Sequence, residues 1–285
     1  MKSPAFQKSL EIDLDPPNGI RANWNLFFED TQKVLEMQPG ESLIRLGDGE
    51  LDVFHKDDDA KKSWAKRSPH FPWMYDKLIE SIKKSTLIGV PSEKYIKASK
   101  KGWGRQQWNK KKALGKKLRD LIFPFGVRPS QLISSNLFVY DLSTVPIAIK
   151  DKNVLIINSS AQRLAEKFMN DKKFKDFYGI YPNEAIGIDM PEGTSFPYGV
   201  RKHGPELFYN NIMDEIAKID KSTRDRIDCV LIGAGIIGKA ISADLSLPRA
   251  VSLDVGCLLS LYAGRKDRGI FYPKGRLGWL FNYKH

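Results

Sequence analysis

Three short apolar runs, each followed by a loop of small or acidic residues, constrain the fold of this chain most strongly. One of them, Asn-Val-Leu-Ile-Ile-Asn at residues 153–158, has the continuous apolar character of a parallel strand that is covered on both faces. The other two runs lie at residues 42–46 and 228–232, and the three loops lie at 47–50, 159–161 and 233–238. Strands followed by loops and helices are the repeating units of α/β proteins.

The rest of the chain alternates between strands and helices in the same way. Further strands are predicted at residues 86–90, 132–140 and 250–254 and within 178–188, and helices at 21–37, 72–84, 105–122, 159–169, 205–218, 236–245 and 257–262. This alternation predicts a three-layer α/β fold with a mainly parallel sheet. If the three strands lie side by side, their loops line one crevice at the carboxyl edge, where such sheets bind ligands.

The loop after the first run carries two carboxylates. Residues 43–50 read Leu-Ile-Arg-Leu-Gly-Asp-Gly-Glu, so Asp48 and Glu50 lie two positions apart beside Gly47 and Gly49. Carboxylates this close repel each other unless a cation or a proton lies between them. Mg²⁺ and Mn²⁺ are commonly held by one or two carboxylates together with substrate phosphates. The loop therefore predicts a metal-assisted phosphate site, and a solvated acidic turn is the alternative.

A glycine loop follows the run at residues 228–232. Gly233, Gly235 and Gly238 match the pattern G-x-G-x-x-G between a strand and a helix, where backbone N–H groups can bind phosphate. Asp254 ends the next predicted strand, as the ribose-binding acid of a dinucleotide enzyme would. An NAD(P)-dependent oxidoreductase is therefore one alternative, although only 31 residues follow Asp254. A turn needed only for helix–strand packing is another.

The positive charge is concentrated in one segment. The chain has a net charge of +12, yet residues 61–119 alone hold 18 Lys and Arg against three acids, and four of the six tryptophans. Such a basic, tryptophan-rich segment can attract nucleic acid, an anionic membrane surface or a phosphorylated small molecule. A nucleic-acid-binding protein is thus a second alternative.

Other features restrict the class of protein. Two cysteines in apolar segments indicate buried core residues, and four scattered histidines give little support to a zinc site. The N-terminal residues lack the apolar region of a secretory signal, and no apolar run reaches the 18 residues expected of a membrane span. We therefore expect a cytoplasmic protein, with the basic segment able to contact the inner face of the membrane peripherally.

Three blocks together resemble one known family. The run at residues 43–50, the glycine loop with Lys239 directly after it, and Val-Ser-Leu-Asp-Val-Gly at 251–256 resemble the motifs of the GT-D fold glycosyltransferases. That family was first catalogued as a bacterial domain of unknown function. The strand and small-residue loop at 154–164 also fit, so the resemblance spans about residues 41–262.

The resemblance implies a Rossmann-like glycosyltransferase domain. We expect it at residues 41–285, with residues 1–40 as an N-terminal helical extension packed on it. Such an enzyme transfers a sugar from a nucleotide-diphosphate donor, here most simply a UDP-sugar, to a glycan acceptor on protein or lipid. The family's Asp-x-Glu motif, here Asp48 and Glu50, implies binding of Mn²⁺ or Mg²⁺. No nucleic-acid partner is expected on this interpretation.

The remaining predicted roles concern the phosphates and the proton. Arg45 and Lys239 can contact the diphosphate. The alternatives are that Arg45 does no more than pair with Asp48 and that Lys239 is solvated. Ser159 and Ser160 can offer N–H groups at a second helix start, or Ser159 can act as a plain N-cap. An inverting transferase needs a base for the acceptor hydroxyl, and the candidates are Asp254, ranked first, Asp52 and Glu206.

Overall fold

A computed structural model gives the structure of the chain. It describes residues 28–47, 50, 53–54, 69–92, 105–135, 137–140, 144–172, 175, 181–190, 204–256 and 258–263. Within residues 105–112 only the backbone is described. The acidic residue Asp48, its neighbour Gly49 and the candidate base Asp52 therefore lie outside the described residues, as do Cys257 and most of residues 1–40.

In the part of the chain that the structure describes, seven strands form one sheet, and every pairing between them is parallel. They are β1 (Ser42–Arg45), β2 (Leu87–Val90), β3 (Leu132–Ser134), β4 (Asn153–Asn158), β5 (Glu184–Asp189), β6 (Cys229–Ile232) and β7 (Val251–Asp254). Their order across the sheet is β3-β2-β1-β7-β6-β4-β5. The predicted α/β fold with a parallel sheet is confirmed. The strand that the prediction left out of the crevice, β7, lies between β1 and β6.

Helices connect the strands along the chain. They are α1 (Phe28–Leu35), α2 (Phe71–Lys84), α3 (Arg105–Ile122), α4 (Leu137–Tyr140), α5 (Thr144–Ile149), α6 (Ala161–Asn170), α7 (Pro205–Lys218), α8 (Lys221–Arg224), α9 (Gly235–Asp244) and α10 (Leu258–Tyr262). Two short 3₁₀ turns, Phe123–Phe125 and Pro129–Gln131, lie between α3 and β3. Among the described residues, no helix is long and apolar enough to cross a membrane.

Each face of the sheet is covered by its own layer of helices. In β4, Val154 and Ile156 pack on the face covered by α1, α4, α5, α6 and α10, whereas Leu155 and Ile157 pack on the face covered by α2, α3, α7 and α9. Successive side chains of a strand point to opposite faces, so a strand buried on both sides must be apolar throughout. This is why β4 and β6 appear in the sequence as continuous apolar runs.

The chain passes to opposite faces of the sheet after the two neighbouring strands β4 and β6. After β4 the chain enters α6 on one face, and after the adjacent β6 it enters α9 on the other. Such a reversal opens a crevice at the carboxyl ends of the strands. The loops after β1, β4 and β6, together with the end of β7, therefore lie at one edge, as predicted.

One predicted boundary was wrong. The strand predicted at residues 132–140 ends at Ser134, and Leu137–Tyr140 forms the helix α4, because this apolar run supplies both a strand and a buried helical turn. The strand β5 begins at Glu184, within the range 178–188 where one or two short strands were predicted. The helix predicted at 21–37 is described only as α1, Phe28–Leu35.

A salt-bridge cluster joins α2, α7 and α9. The carboxylate of Asp244, at the end of α9, accepts bonds from Lys77 Nζ at 2.8 Å, Lys84 Nζ at 2.7 Å and Tyr209 Oη at 2.8 Å. Burial alone would raise the pKa of Asp244, but the two ammonium groups and the hydroxyl hold it below its ordinary value of 3.8. The cluster fixes the end of α9 to its two neighbouring helices.

Candidate functional site

The loop after β1 folds back onto its own backbone. The N–H of Gly47 donates to Oε2 of Glu50 at 2.7 Å. Glu50, whose backbone is helical, is only 8% exposed. The alternative of a solvated acidic turn is therefore wrong for Glu50, and its carboxylate needs compensating charge.

Asp254, at the end of β7, is the most deeply buried acid of the site. It is 0% exposed. Its Oδ2 accepts from the backbone N–H of Arg45 at 3.2 Å and from Lys239 Nζ at 3.0 Å, and its Oδ1 accepts from the N–H of Gly256 at 3.1 Å. The carboxylate thus fastens the loop after β7 to the end of β1.

Lys239 lies between the two acids. Its Nζ is 3.1 Å from Oε1 of Glu50 and 3.0 Å from Oδ2 of Asp254, and it donates to the carbonyl of Gly235 at 3.1 Å. Burial opposes its charged form, but Asp254 and Glu50 outweigh that cost and raise the pKa of Lys239 above 10.5. The alternative of a solvated lysine is therefore wrong, since Lys239 is 5% exposed and charged.

Arg45 extends from β1 along the same edge. Its guanidinium donates from Nη1 to the carbonyl of Ser135 at 3.0 Å, and its Cζ lies 5.9 Å from the ring centroid of Phe138. A Cβ at Gly256 would lie 1.5 Å from Nη2, so the arginine fits only because residue 256 is glycine. The buried Nε has no hydrogen-bond partner among the described residues, and an anion is the natural acceptor for it.

The glycine loop brings backbone N–H groups to this edge. Gly235 begins α9 with a φ of 58°, which favours glycine, and a Cβ at Gly238 would lie 3.0 Å from Ile232. A Cβ at Gly233 would lie 2.7 Å from the carbonyl of Gly256, so this glycine lets the loops after β6 and β7 touch. The N-cap residue of α9, Ala234, makes no side-chain bond to the first turn. The start of α9 is thus suited to an external acceptor.

The start of α6, by contrast, already has protein partners. The N–H of Ser160 donates to Oδ1 of Asn158 at 3.1 Å, and the N–H of Gln162 donates to Oδ1 of Asp189 at 3.1 Å. Ser160 is buried, and Ser159 has bonding partners as well. The phosphate-binding role of Ser159 and Ser160 stays a prediction, but this helix start has fewer free donors than that of α9.

Asn158 is a site residue that the sequence reasoning missed. Besides accepting from Ser160, it donates from Nδ2 to the carbonyl of Gly233 at 2.9 Å, and it is 2% exposed. It therefore ties the loop after β4 to the glycine loop across the point where the chain reverses. A polar residue at the end of a buried apolar strand was the available signal.

The structure brings six of the predicted site residues together. Hydrogen bonds or ion pairs connect Arg45, Gly47, Glu50, Lys239, Asp254 and Gly235 in one continuous network. Glu206 lies exposed in the first turn of α7. Contact between the basic segment and a membrane stays a prediction, and the last turns of α3 expose Lys116 and Lys117.

Three solved structures are similar to this chain. One is described as a new glycosyltransferase from Streptococcus sanguinis with domain of unknown function 1792; it is 15% identical with a TM-score of 0.47, over 85% of this chain and 81% of that chain. Another is described as showing that domain of unknown function 1792 has a distinct glycosyltransferase fold; it is 13% identical with a TM-score of 0.48, over 90% of this chain and 84% of that chain.

The third is a selenomethionine structure of the same domain, with a TM-score of 0.48 and 13% identity. No protein-family model and no curated protein matches this chain. At these identities and TM-scores no residue role is carried over from the solved structures. The roles proposed below rest on the geometry of the chain itself.

The carboxylate chemistry of the site fits a hard divalent cation. Each oxygen of Glu50 makes one contact within the described part of the chain, whereas a carboxylate oxygen can accept two. Among the described residues, no three His, Cys, Asp or Glu side chains are grouped to hold a metal ion. A complete coordination sphere would therefore need Asp48 and oxygens of the substrate in addition to Glu50.

Proposed function

We propose that this protein is a metal-dependent glycosyltransferase that moves a sugar from a nucleotide-diphosphate sugar, most simply a UDP-sugar, to a glycan acceptor on protein or lipid. The observation that carries this proposal is the buried cluster of Arg45, Glu50, Lys239 and Asp254, placed beside the start of α9 at the carboxyl edge of the sheet. The cluster combines cationic groups and backbone donors for a diphosphate with a carboxylate for a cation.

The diphosphate would bind between Arg45 and the start of α9. Nε of Arg45 is buried without a partner among the described residues, and the first turn of α9 has no side-chain cap. Both groups are donors, and a diphosphate supplies acceptors with matching charge. Asp48 and Glu50 would hold Mn²⁺ or Mg²⁺, which would neutralise the charge that develops on the leaving nucleoside diphosphate.

Asp254 is better suited to positioning than to taking a proton. Both of its oxygens accept bonds from the protein, and the residue is 0% exposed. A base must reach the acceptor hydroxyl within hydrogen-bond distance. We therefore propose that Asp254 orients Arg45 and Lys239, which leaves Asp52 and Glu206 as candidates for the base.

The same geometry argues against the dinucleotide alternative. In an NAD(P)-dependent enzyme the acid after the glycine loop binds ribose hydroxyls and must face the ligand. Asp254 instead faces Arg45, Gly256 and Lys239. The oxidoreductase alternative also gives no role to the buried contact between Glu50 and Lys239.

Thermal unfolding with ligands tests the proposal. We expect UDP with Mn²⁺ to raise the melting temperature by several degrees, and UDP or Mn²⁺ alone to do much less. Asp48→Asn and Glu50→Gln should remove the combined effect, whereas Glu36→Gln, at an exposed position beyond α1, should preserve it. Stabilisation by NAD without metal, unchanged in Asp48→Asn and Glu50→Gln, would refute the proposal. Hydrolysis of a panel of nucleotide sugars would then identify the base and the sugar.

A further inference from the structure

Three protein oxygens lie within 3.1 Å of the Lys239 ammonium nitrogen. It donates hydrogen bonds to Oδ2 of Asp254 and to the carbonyl of Gly235, and it forms an ion pair with Oε1 of Glu50. An ammonium group has three donors and no more. A phosphate that binds Lys239 therefore competes with Glu50 for the donor that neither hydrogen bond uses.

The three partners differ in how firmly they are held. Asp254 is fully buried and fixed by two backbone N–H groups, and the carbonyl of Gly235 belongs to the same helix as Lys239. Glu50 is held by one backbone N–H at Oε2, and its Oε1 forms the ion pair with Lys239. Oε1 of Glu50 is thus the acceptor that Lys239 can release with the least rearrangement.

We infer that Lys239 is an exchangeable counter-cation: it neutralises Glu50 when no metal is bound, competes with the divalent ion for Oε1 of Glu50, and turns the freed N–H toward the donor diphosphate when the ion is present. This inference rests on the proposed function for the diphosphate step, but the competition at Glu50 can be tested without any substrate.

Charge balance explains why the exchange would require the substrate. The four described side chains Arg45, Glu50, Lys239 and Asp254 carry two positive and two negative charges and are together neutral without a ligand, and Asp48, the second ligand proposed for the ion, would add one negative charge. A divalent ion alone would add two positive charges beside two cations that are already in place, which is unfavourable in a buried site. An ion accompanied by a diphosphate adds almost no net charge. We therefore expect weak binding of the ion alone and strong coupling to the nucleotide.

Direct measurement of Mn²⁺ binding tests the competition. Free Mn²⁺ is followed by electron paramagnetic resonance in wild type and in Lys239→Met, with and without UDP. Removing the ammonium should tighten binding of Mn²⁺ alone by on the order of tenfold, and it should reduce the extra tightening caused by UDP. Lys77→Met is the matched control, because Lys77 also pairs with a carboxylate, Asp244, in a different cluster. Its Mn²⁺ binding should equal that of wild type.

A second comparison keeps the inference testable if Lys239→Met does not fold. Lys239→Met leaves two buried carboxylates without their cation, so Asp254→Asn is compared with the double variant Lys239→Met/Asp254→Asn, and circular dichroism checks that each is folded. The double variant should bind Mn²⁺ more tightly than Asp254→Asn. Equal or weaker binding in both folded lysine variants, or no Mn²⁺ binding in any protein, overturns the inference. Failure of the proposed function appears separately, as wild type that neither binds UDP nor hydrolyses a nucleotide sugar.

Discussion

The backbone N–H of Arg45 donates to the side chain of Asp254 at 3.2 Å, directly beyond the last paired residues of β1 and β7, Leu43 and Leu253. The carboxylate of Asp254 thus adds one hydrogen bond between β1 and β7 at the point where the two strands separate. The arginine side chain and the lysine partner of the same carboxylate then both face the carboxyl edge. The end of the sheet and the charge of the candidate site therefore depend on one residue.

Asp254→Asn should destabilise the protein strongly. The change leaves the buried Lys239 with one fewer negative partner, and breaking a buried ion pair costs about 3–5 kcal/mol. Asp189→Asn is the matched control: Asp189 also ends a strand and caps a backbone N–H, but it is exposed, so its loss should be about 1 kcal/mol or less. Urea denaturation measures both. Unchanged stability with lost activity would instead support Asp254 as the base.

Gly256→Ala should displace Arg45. The added methyl group would lie 1.5 Å from Nη2 at a φ of 55°, so backbone strain and a steric clash combine. We expect the free energy of unfolding to fall by about 2–4 kcal/mol, and we expect nucleotide no longer to raise the melting temperature. Gly126→Ala shares the positive φ, 88°, but has open space around it, so it should cost only about 1 kcal/mol. Equal effects of the two changes on nucleotide binding would contradict the assignment of Arg45.

Asn158→Ala should loosen the connection between the loops after β4 and β6. It leaves the carbonyl of Gly233 and the N–H of Ser160 without their partner inside a buried region, at about 1–3 kcal/mol. Asn153, at the other end of the same strand, bonds the carbonyl of Arg226 near the surface, so Asn153→Ala should cost less. Thermal melts of the two variants side by side give the comparison.

The salt-bridge cluster at Asp244 should make the free energy of unfolding depend on pH in the acidic range. The folded-state pKa of Asp244 lies below its ordinary value of 3.8, so its contribution is complete above that value and is lost as the pH falls through the lower folded-state pKa. The stability gap between wild type and Asp244→Asn should therefore be wide at pH 7 and narrower at pH 3. Tyr209→Phe, which removes a hydroxyl donor and keeps the charges, is the control. A gap that stays constant with pH would rule out the linkage.

Local patterns in the sequence predicted most of the elements. The strand at residues 153–158 was predicted with the bounds that the structure has, because an apolar run flanked by asparagines is long enough for a buried strand and too short for a core helix. The strand predicted at 132–140 was too long, because apolar character alone does not distinguish the strand Leu132–Ser134 from the helical turn Leu137–Tyr140. Periodicity needs more residues than either segment supplies.

The site was only partly predictable, because its contacts join distant parts of the chain. Motif spacing marked Glu50, Lys239 and Asp254, but it could not show that Lys239 pairs with both acids, one of which follows β1 while the other ends β7. The insertion of β7 between β1 and β6 depends on how the helices pack on the two faces. The shape of the Arg45 pocket likewise follows from that order and not from any local pattern.

The glycine at position 256 should affect the evolution of the sequence as well as the stability of the protein. Because Nη2 of Arg45 occupies the space where a β-carbon would stand, the two positions cannot change independently. A lineage that acquires a larger residue at position 256 should also carry a shorter one at position 45, and reversion at one position should require reversion at the other. Positions 45 and 256, more than two hundred residues apart in the chain, should therefore vary as a pair among homologous sequences.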